Sequence, residues 1–169
     1  MLKPQDVVIL LKVHVFKKST WTYEELANSL GMSASEVHAG LKRCVTSGLY
    51  GASSKQIRPQ AVLEFLIHGL KYVFPAQPGV LGRGIPTAHC AEPLKSLLSS
   101  SAESAYVWAD PSGTVRGQTI APLYKSVPVA VKKDPALYEL LSLLDAIRLG
   151  RVREQRLAVE LLEQRLSAT

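Results

Sequence analysis

The sequence predicts a mainly α fold with a small β component: helices and a short hairpin first, then an irregular connector, then C-terminal helices. Three observations predict it. Helix start and stop signals recur through residues 1–70, leucines fall in helical stripes after residue 135, and the stretch between is rich in proline and glycine. The same shifts divide the chain into an N-terminal unit at 1–70, an ordered connector with short strands at 71–134, and a C-terminal helical region at 135–169.

Residues 4–18 read as a helix, with Pro4 at the first helical position. The run Val7–Leu11, Val13, Val15 and Phe16 is apolar on nearly every side, so neighbours or a second copy must bury it. A strand is the alternative for so β-branched a run. Thr22 with Glu25 three residues later forms a capping-box pattern, and Gly31 stops that helix. Ser33 with Glu36 repeats the pattern, and Gly48 ends the second helix near Ser47. Leu49–Gly51 and Lys55–Arg58 can pair as a hairpin around Ala52-Ser53-Ser54, and Pro59 opens a helix reaching about Leu70.

This order of helix, helix, turn, helix, hairpin and helix is that of a winged helix-turn-helix. On a helical wheel, Val37, Gly40, Leu41, Cys44 and Val45 of the second motif helix face inward. Ser35, Ala39, Lys42, Arg43 and Thr46 face outward, with His38 on the flank. That face is small, polar and basic, as phosphate and base-edge contact requires.

The connector is less legible. Tyr72–Phe74 and Ala105–Trp108 read as strands, Pro93–Leu98 as a short helix, and Ser99–Ser101 as a loop. Asp110-Pro111-Ser112-Gly113 is a strong turn signal, and Thr114–Ile120 can return from it as a hairpin strand. Asp134 with Pro135 starts a helix carrying Leu137, Leu140, Leu141, Leu144 and Ile147, which Gly150 ends or kinks. A last helix from Arg151 to about Leu166 turns Leu157, Leu161, Leu162 and Leu166 inward, and Arg156 can pair with Glu160.

Composition narrows the function classes. The chain has 169 residues, 47% hydrophobic and 20% charged, with a mean hydropathy of +0.10, which excludes disorder as the main state. No apolar stretch reaches a membrane span and no signal peptide is visible, so the expected location is cytoplasmic. The net charge of +6 is uneven: +4 in residues 1–58, −1 in 59–110 and +3 in 111–169. A basic N-terminal unit admits a polyanionic partner.

Chemical motifs are sparse. Cys44 and Cys90 form no metal pattern with the scattered histidines, so no metal or other cofactor is expected. His89-Cys90 lacks a specified base, and reads as a loop pair. Gly79-Val80-Leu81-Gly82-Arg83-Gly84 lacks the Lys-Ser/Thr of a phosphate-binding loop, and reads as a bent loop. Arg148, Arg151, Arg153 and Arg156 make the densest cationic cluster, either a solvated helix surface salt-bridged to Asp145, Glu154 and Glu160, or a contact for a second nucleic-acid segment or an acidic protein partner. The chain is expected not to be an enzyme.

Residues 22–58 resemble the winged helix-turn-helix of bacterial transcription regulators, broadly of the MarR type. The likeness rests on Tyr23-Glu24-Glu25-Leu26-Ala27-Asn28-Ser29-Leu30-Gly31-Met32-Ser33, then Ser35-Glu36-Val37-His38-Ala39-Gly40-Leu41-Lys42-Arg43, closed by Ser47-Gly48-Leu49. It implies a recognition helix at about 34–47 and sequence-specific binding of double-stranded DNA. Ser33, Ser35, Glu36, His38, Ala39, Lys42, Arg43 and Thr46, with Lys55 and Arg58 of the wing, are the expected contacts. Two departures stand out: Ala39 occupies a position where many members carry a groove-reading arginine, and the short wing has no arginine at its tip. A homodimer is expected, through the N-terminal helix or the C-terminal leucine stripes, unless these close on one another within one chain. The alternative function is a protein-interaction adaptor, antitoxin-like, that docks a protein partner on the winged helix.

Overall fold

The computed structural model describes residues 1–17, 20–98 and 105–167. The first helix, α1, spans Pro4–Phe16, and Lys17 ends it in the left-handed region at φ 48°. The apolar run is a helix rather than a strand because neighbours wrap it. Helices α2 (Tyr23–Leu30), α3 (Ala34–Thr46) and α8 (Pro135–Leu149) all pack on it, and Val7 to Leu11 are buried. Each such side chain contributes about 1.5–3 kcal/mol.

Local chemistry defines α2 and α3. Thr22 Oγ1 accepts from the Glu25 amide while Glu25 Oε2 accepts from the Thr22 amide, and Ser33 and Glu36 repeat the exchange. Gly31 closes α2 at φ 66°, where a β-carbon would be strained and would also meet Ser126. The expected hairpin follows as two-residue strands, β1 (Tyr50–Gly51) and β2 (Gln56–Ile57), paired antiparallel with Tyr50 opposite Ile57. Helix α4 runs Pro59–His68.

The connector departs from expectation at three places. Tyr72–Phe74 is not a strand: Leu70–Val73 form a short helix, α5, whose amides find acceptors at Gly69 and Leu70. The glycine-rich loop is the start of a strand, β3 (Leu81–Thr87), and Gly79 donates its amide to the Thr119 carbonyl. Strands β4 (Tyr106–Ala109) and β5 (Val115–Thr119) do not form a hairpin. They run parallel, each antiparallel to β3, with β4 on Gly84–Thr87 and β5 on Leu81–Gly84. Where β4 leaves off, β5 continues along β3, and the three strands close on one another. Closure needs glycine at the crossing points: a β-carbon at Gly84 would lie 2.0 Å from the Trp108 carbonyl oxygen, and one at Gly117 would lie 2.4 Å from that of Ala105. Helix α6 is Leu94–Leu97, and the serine run expected as a loop at 99–101 lies outside the described residues.

Helix α7 is Val127–Val131, and α9 is Val152–Ser167. The Asp134 carboxylate caps α8 at the Leu137 amide and also pairs with Lys12 of α1. Gly150 ends α8 in extended conformation. The α8 stripe is buried throughout; in α9, Ala158, Leu162 and Leu166 are buried while Leu157 and Leu161 are half-buried. One hydrophobic cluster runs from Val7 to Leu166, crossing the expected boundaries at residues 70 and 134. Thus the fold is mainly helical with a small β component. The leucine stripes and α1 do close on one another within the chain.

Within the cationic cluster Arg148 pairs with Asp145 as the salt-bridged reading expects, but the pair is buried rather than solvated. Its guanidinium is buried and donates to Asp145 Oδ1 at 2.9 Å and to the carbonyls of Phe74 and Pro75. Asp145 Oδ2 accepts in turn from Trp108 Nε1 at 2.8 Å and Thr87 Oγ1 at 2.7 Å. Burial pulls the Asp145 carboxyl upward, while the guanidinium and the two neutral donors pull it back. Among the described residues, no helix is long and apolar enough to cross a membrane.

Candidate nucleic-acid interface

Helix α3 is fixed on its inner side by Val37, Gly40, Leu41 and Cys44, all buried. Gly40 is where α1 crosses: a β-carbon there would meet Ile9 Cδ1 at 2.6 Å and Asp6 Oδ1 at 2.9 Å. Burial pushes the Cys44 thiol up to about 12, so it is an inert packing group. The outer side carries Ser35, His38, Lys42 and Thr46, all exposed as expected, with Ala39 half-buried. Between His38 and Thr46 the helix carries no acid.

Two residues of the expected face are placed differently. Val45, expected inward, is 42% exposed. Arg43, expected outward, forks onto Asp6 with Nε–Oδ2 and Nη2–Oδ1 both at 2.8 Å. Asp6 is fully buried and needs a paired cation, so Arg43 is drawn back across α3 into a structural ion pair. That hydrogen bonding holds the guanidinium pKa above its ordinary value.

The α3 N-terminus is already occupied. The Ser33 hydroxyl accepts the Glu36 amide and lies 3.1 Å from the Ser35 hydroxyl. Glu36 Oε1 accepts a 2.6 Å bond from the Tyr124 hydroxyl, contributed by the connector 88 residues away. That bond and the Ser33 amide hold the Glu36 carboxyl below its ordinary range. A phosphate approaching these helix amides therefore meets a carboxylate, so Ser33 and Glu36 serve the fold.

The hairpin brings Lys55 back toward α3. Lys55 sits at φ 54° with Nζ 5.8 Å from the Trp21 ring centre. It lines a cavity of about 610 Å³ with His38, Lys42, Trp21, Tyr23 and Tyr50. Tyr23 bridges the aromatic set, edge-on to Trp21 at 5.8 Å and to His38 at 5.2 Å. Burial pushes the Tyr50 hydroxyl up to about 12, so it stays a neutral phenol. Lys42 makes no ion pair among the described residues, Arg58 is exposed at the hairpin base, and Thr46 Oγ1 donates to the Lys42 carbonyl.

Of the expected contacts, then, His38, Lys42 and Lys55 share one concavity; Ser35, Thr46 and Arg58 are exposed outside its lining; Ser33, Glu36 and Arg43 are committed elsewhere. The aromatic floor was missed, although Trp21 and Tyr23 flank the first N-cap and Tyr50 follows the second motif helix. No sequence signal marks Tyr124. His89 stacks edge-on to Tyr106 beside Cys90 in a 3-10 turn, and the described residues hold no cluster of three or more metal-ligating side chains. No family model, curated protein or solved structure matches this chain.

Proposed function

We propose that the chain is a sequence-specific DNA-binding transcription regulator, a winged helix-turn-helix that reads duplex DNA with α3 and braces it with the β1–β2 wing. One observation carries the reading: His38, Lys42 and Lys55 converge on one exposed surface whose α3 portion, from residue 38 onward, carries no acid. Lys42, Lys55 and Arg58 neutralise phosphates, and Ser35, His38 and Thr46 supply polar atoms to groove edges. Arg43 acts in this reading only by holding α3 against α1. No catalytic role is part of it.

Two copies reading half-sites about one helical turn apart would double the contacts, so the active form is a homodimer. With α1 and the α8 stripe buried, the exposed large apolar side chains away from α3 are Tyr72, Val73, Val80, Leu81, Leu97, Val129 and Val152, and an interface would draw on these. Light scattering tests this part: a mass near 18.4 kDa at micromolar concentration removes the dimer. Duplex binding is tested by gel shift with the fragment upstream of the protein's own coding sequence against random DNA, at two salt concentrations. Preferential, salt-sensitive binding supports the reading, and equal affinity for both fragments overturns its specificity.

A second reading, a docking unit for a protein partner, is favoured by Val45 and Tyr23, which are 42% and 45% exposed beside Lys42. Such an apolar strip suits a protein surface better than a phosphate backbone.

A further inference from the structure

We infer that the cavity between α2, α3 and the wing is a binding site for an unstacked nucleotide, its base held on the aromatic floor and its phosphate on Lys42 and Lys55. This inference rests on the nucleic-acid reading above and names the part of the ligand this cavity takes.

Two features carry it. At about 610 Å³, the cavity is of the size that encloses small ligands, and more than a single phosphate contact needs. Its walls combine rings with cations: Tyr23 and His38 are exposed beside the buried rings of Trp21 and Tyr50, Lys55 stands 5.8 Å over the Trp21 ring, Lys42 completes the lining, and no acid lines it. Stacking surfaces flanked by ammonium groups are how proteins hold unpaired bases, because every base has a π-face and every nucleotide a negative charge. Trp21 is 6% exposed, so it forms the back of the cavity. A fully stacked duplex offers its bases only edge-on, so the occupant is a base freed from the stack or a free nucleotide.

Trp21 is also the reporter. The other tryptophan, Trp108, is 1% exposed and bonded to Asp145, so ligand-dependent emission changes come from Trp21. Thymidine monophosphate, a thymidylate strand of about 12 nucleotides and a fully paired duplex are each titrated into the full chain. Saturable quenching by the strand or the mononucleotide, absent with the duplex, is expected; the tighter of the two identifies the source of the base. Tyr23→Ala should weaken that binding about tenfold, the loss of one stacked ring, and Tyr23→Phe should retain it. Circular dichroism of Tyr23→Ala confirms its fold. If neither ligand quenches Trp21 while the duplex still shifts in a gel, this inference falls and the regulator reading stands. If the strand quenches in a Tyr23-dependent way but no duplex binds, the cavity assignment stands and duplex recognition falls.

Discussion

Two regions of this molecule hold charged groups in opposite ways. At the three-stranded sheet one carboxylate is turned inward, although Arg83 and Arg116 lie exposed on β3 and β5: Asp145 sits among Trp108, Thr87 and Arg148, joining β3, β4 and α8. Around α3 and the β1–β2 hairpin, charge is left outward: Lys42, Lys55 and Arg58 are exposed, and only Arg43 is drawn in by Asp6. A buried, fully bonded carboxylate specifies one packing and offers nothing to a ligand. An exposed cation with no partner contributes little to stability and is available for binding. The contrast separates residues that make the fold from residues that can use it.

Several substitutions would break or sharpen that contrast. Asp145→Ala strands the Trp108 N–H, the Thr87 hydroxyl and the Arg148 guanidinium together, and should cost about 3–5 kcal/mol. Urea unfolding checks it, and a loss under about 1 kcal/mol would make the network ornamental. Arg43→Ala leaves the fully buried Asp6 carboxylate without its fork and should cost about 3 kcal/mol, whereas a DNA-contacting arginine would cost almost nothing. Leu41→Ala opens a cavity beneath the exposed face and should cost about 2–3 kcal/mol in the same assay.

Asp110 provides a smaller, pH-dependent effect. Bonds from Ser112 and then Lys132 hold its carboxyl down at about 2. A depressed folded-state pKa means the contribution is full above the ordinary carboxylate range and is lost as pH falls toward 2. Asp110→Asn should therefore lower the urea midpoint at pH 7, and the gap to the parent should narrow on acidification. A gap of constant size would remove the ionised carboxylate from the explanation. Lys42→Ala is the smallest in stability, within about 0.5 kcal/mol of the parent, because its side chain is exposed and makes no ion pair.

The same contrast explains what the sequence could say. The capping pairs Thr22–Glu25 and Ser33–Glu36 act across three residues, so α2, α3 and their turn were legible. Arg43 was misplaced because its partner lies 37 residues away on α1, beyond any helical wheel. Strand β3 was missed because its glycines suppress alternation, and its meaning lies in partners Trp108 and Arg116 further along the chain. Tyr72 and Val73 have strand-forming side chains, yet Gly69 and Leu70 carbonyls capture the following amides and wind them into α5. The aromatic cavity needed three elements brought together, and no single segment announces it.

The central proposal is that the outward cations of α3 and the β1–β2 hairpin engage the phosphates of duplex DNA. Its most direct test is the salt dependence of duplex binding for the parent and for the Lys42→Ala, Lys55→Ala double variant, read by fluorescence anisotropy. The account predicts weaker binding with a log–log salt slope shallower by about two units, one per lost phosphate contact, and a stability within about 1 kcal/mol of the parent's, the loss of the Lys55–Trp21 contact. A double variant with the parent's affinity and slope would contradict it.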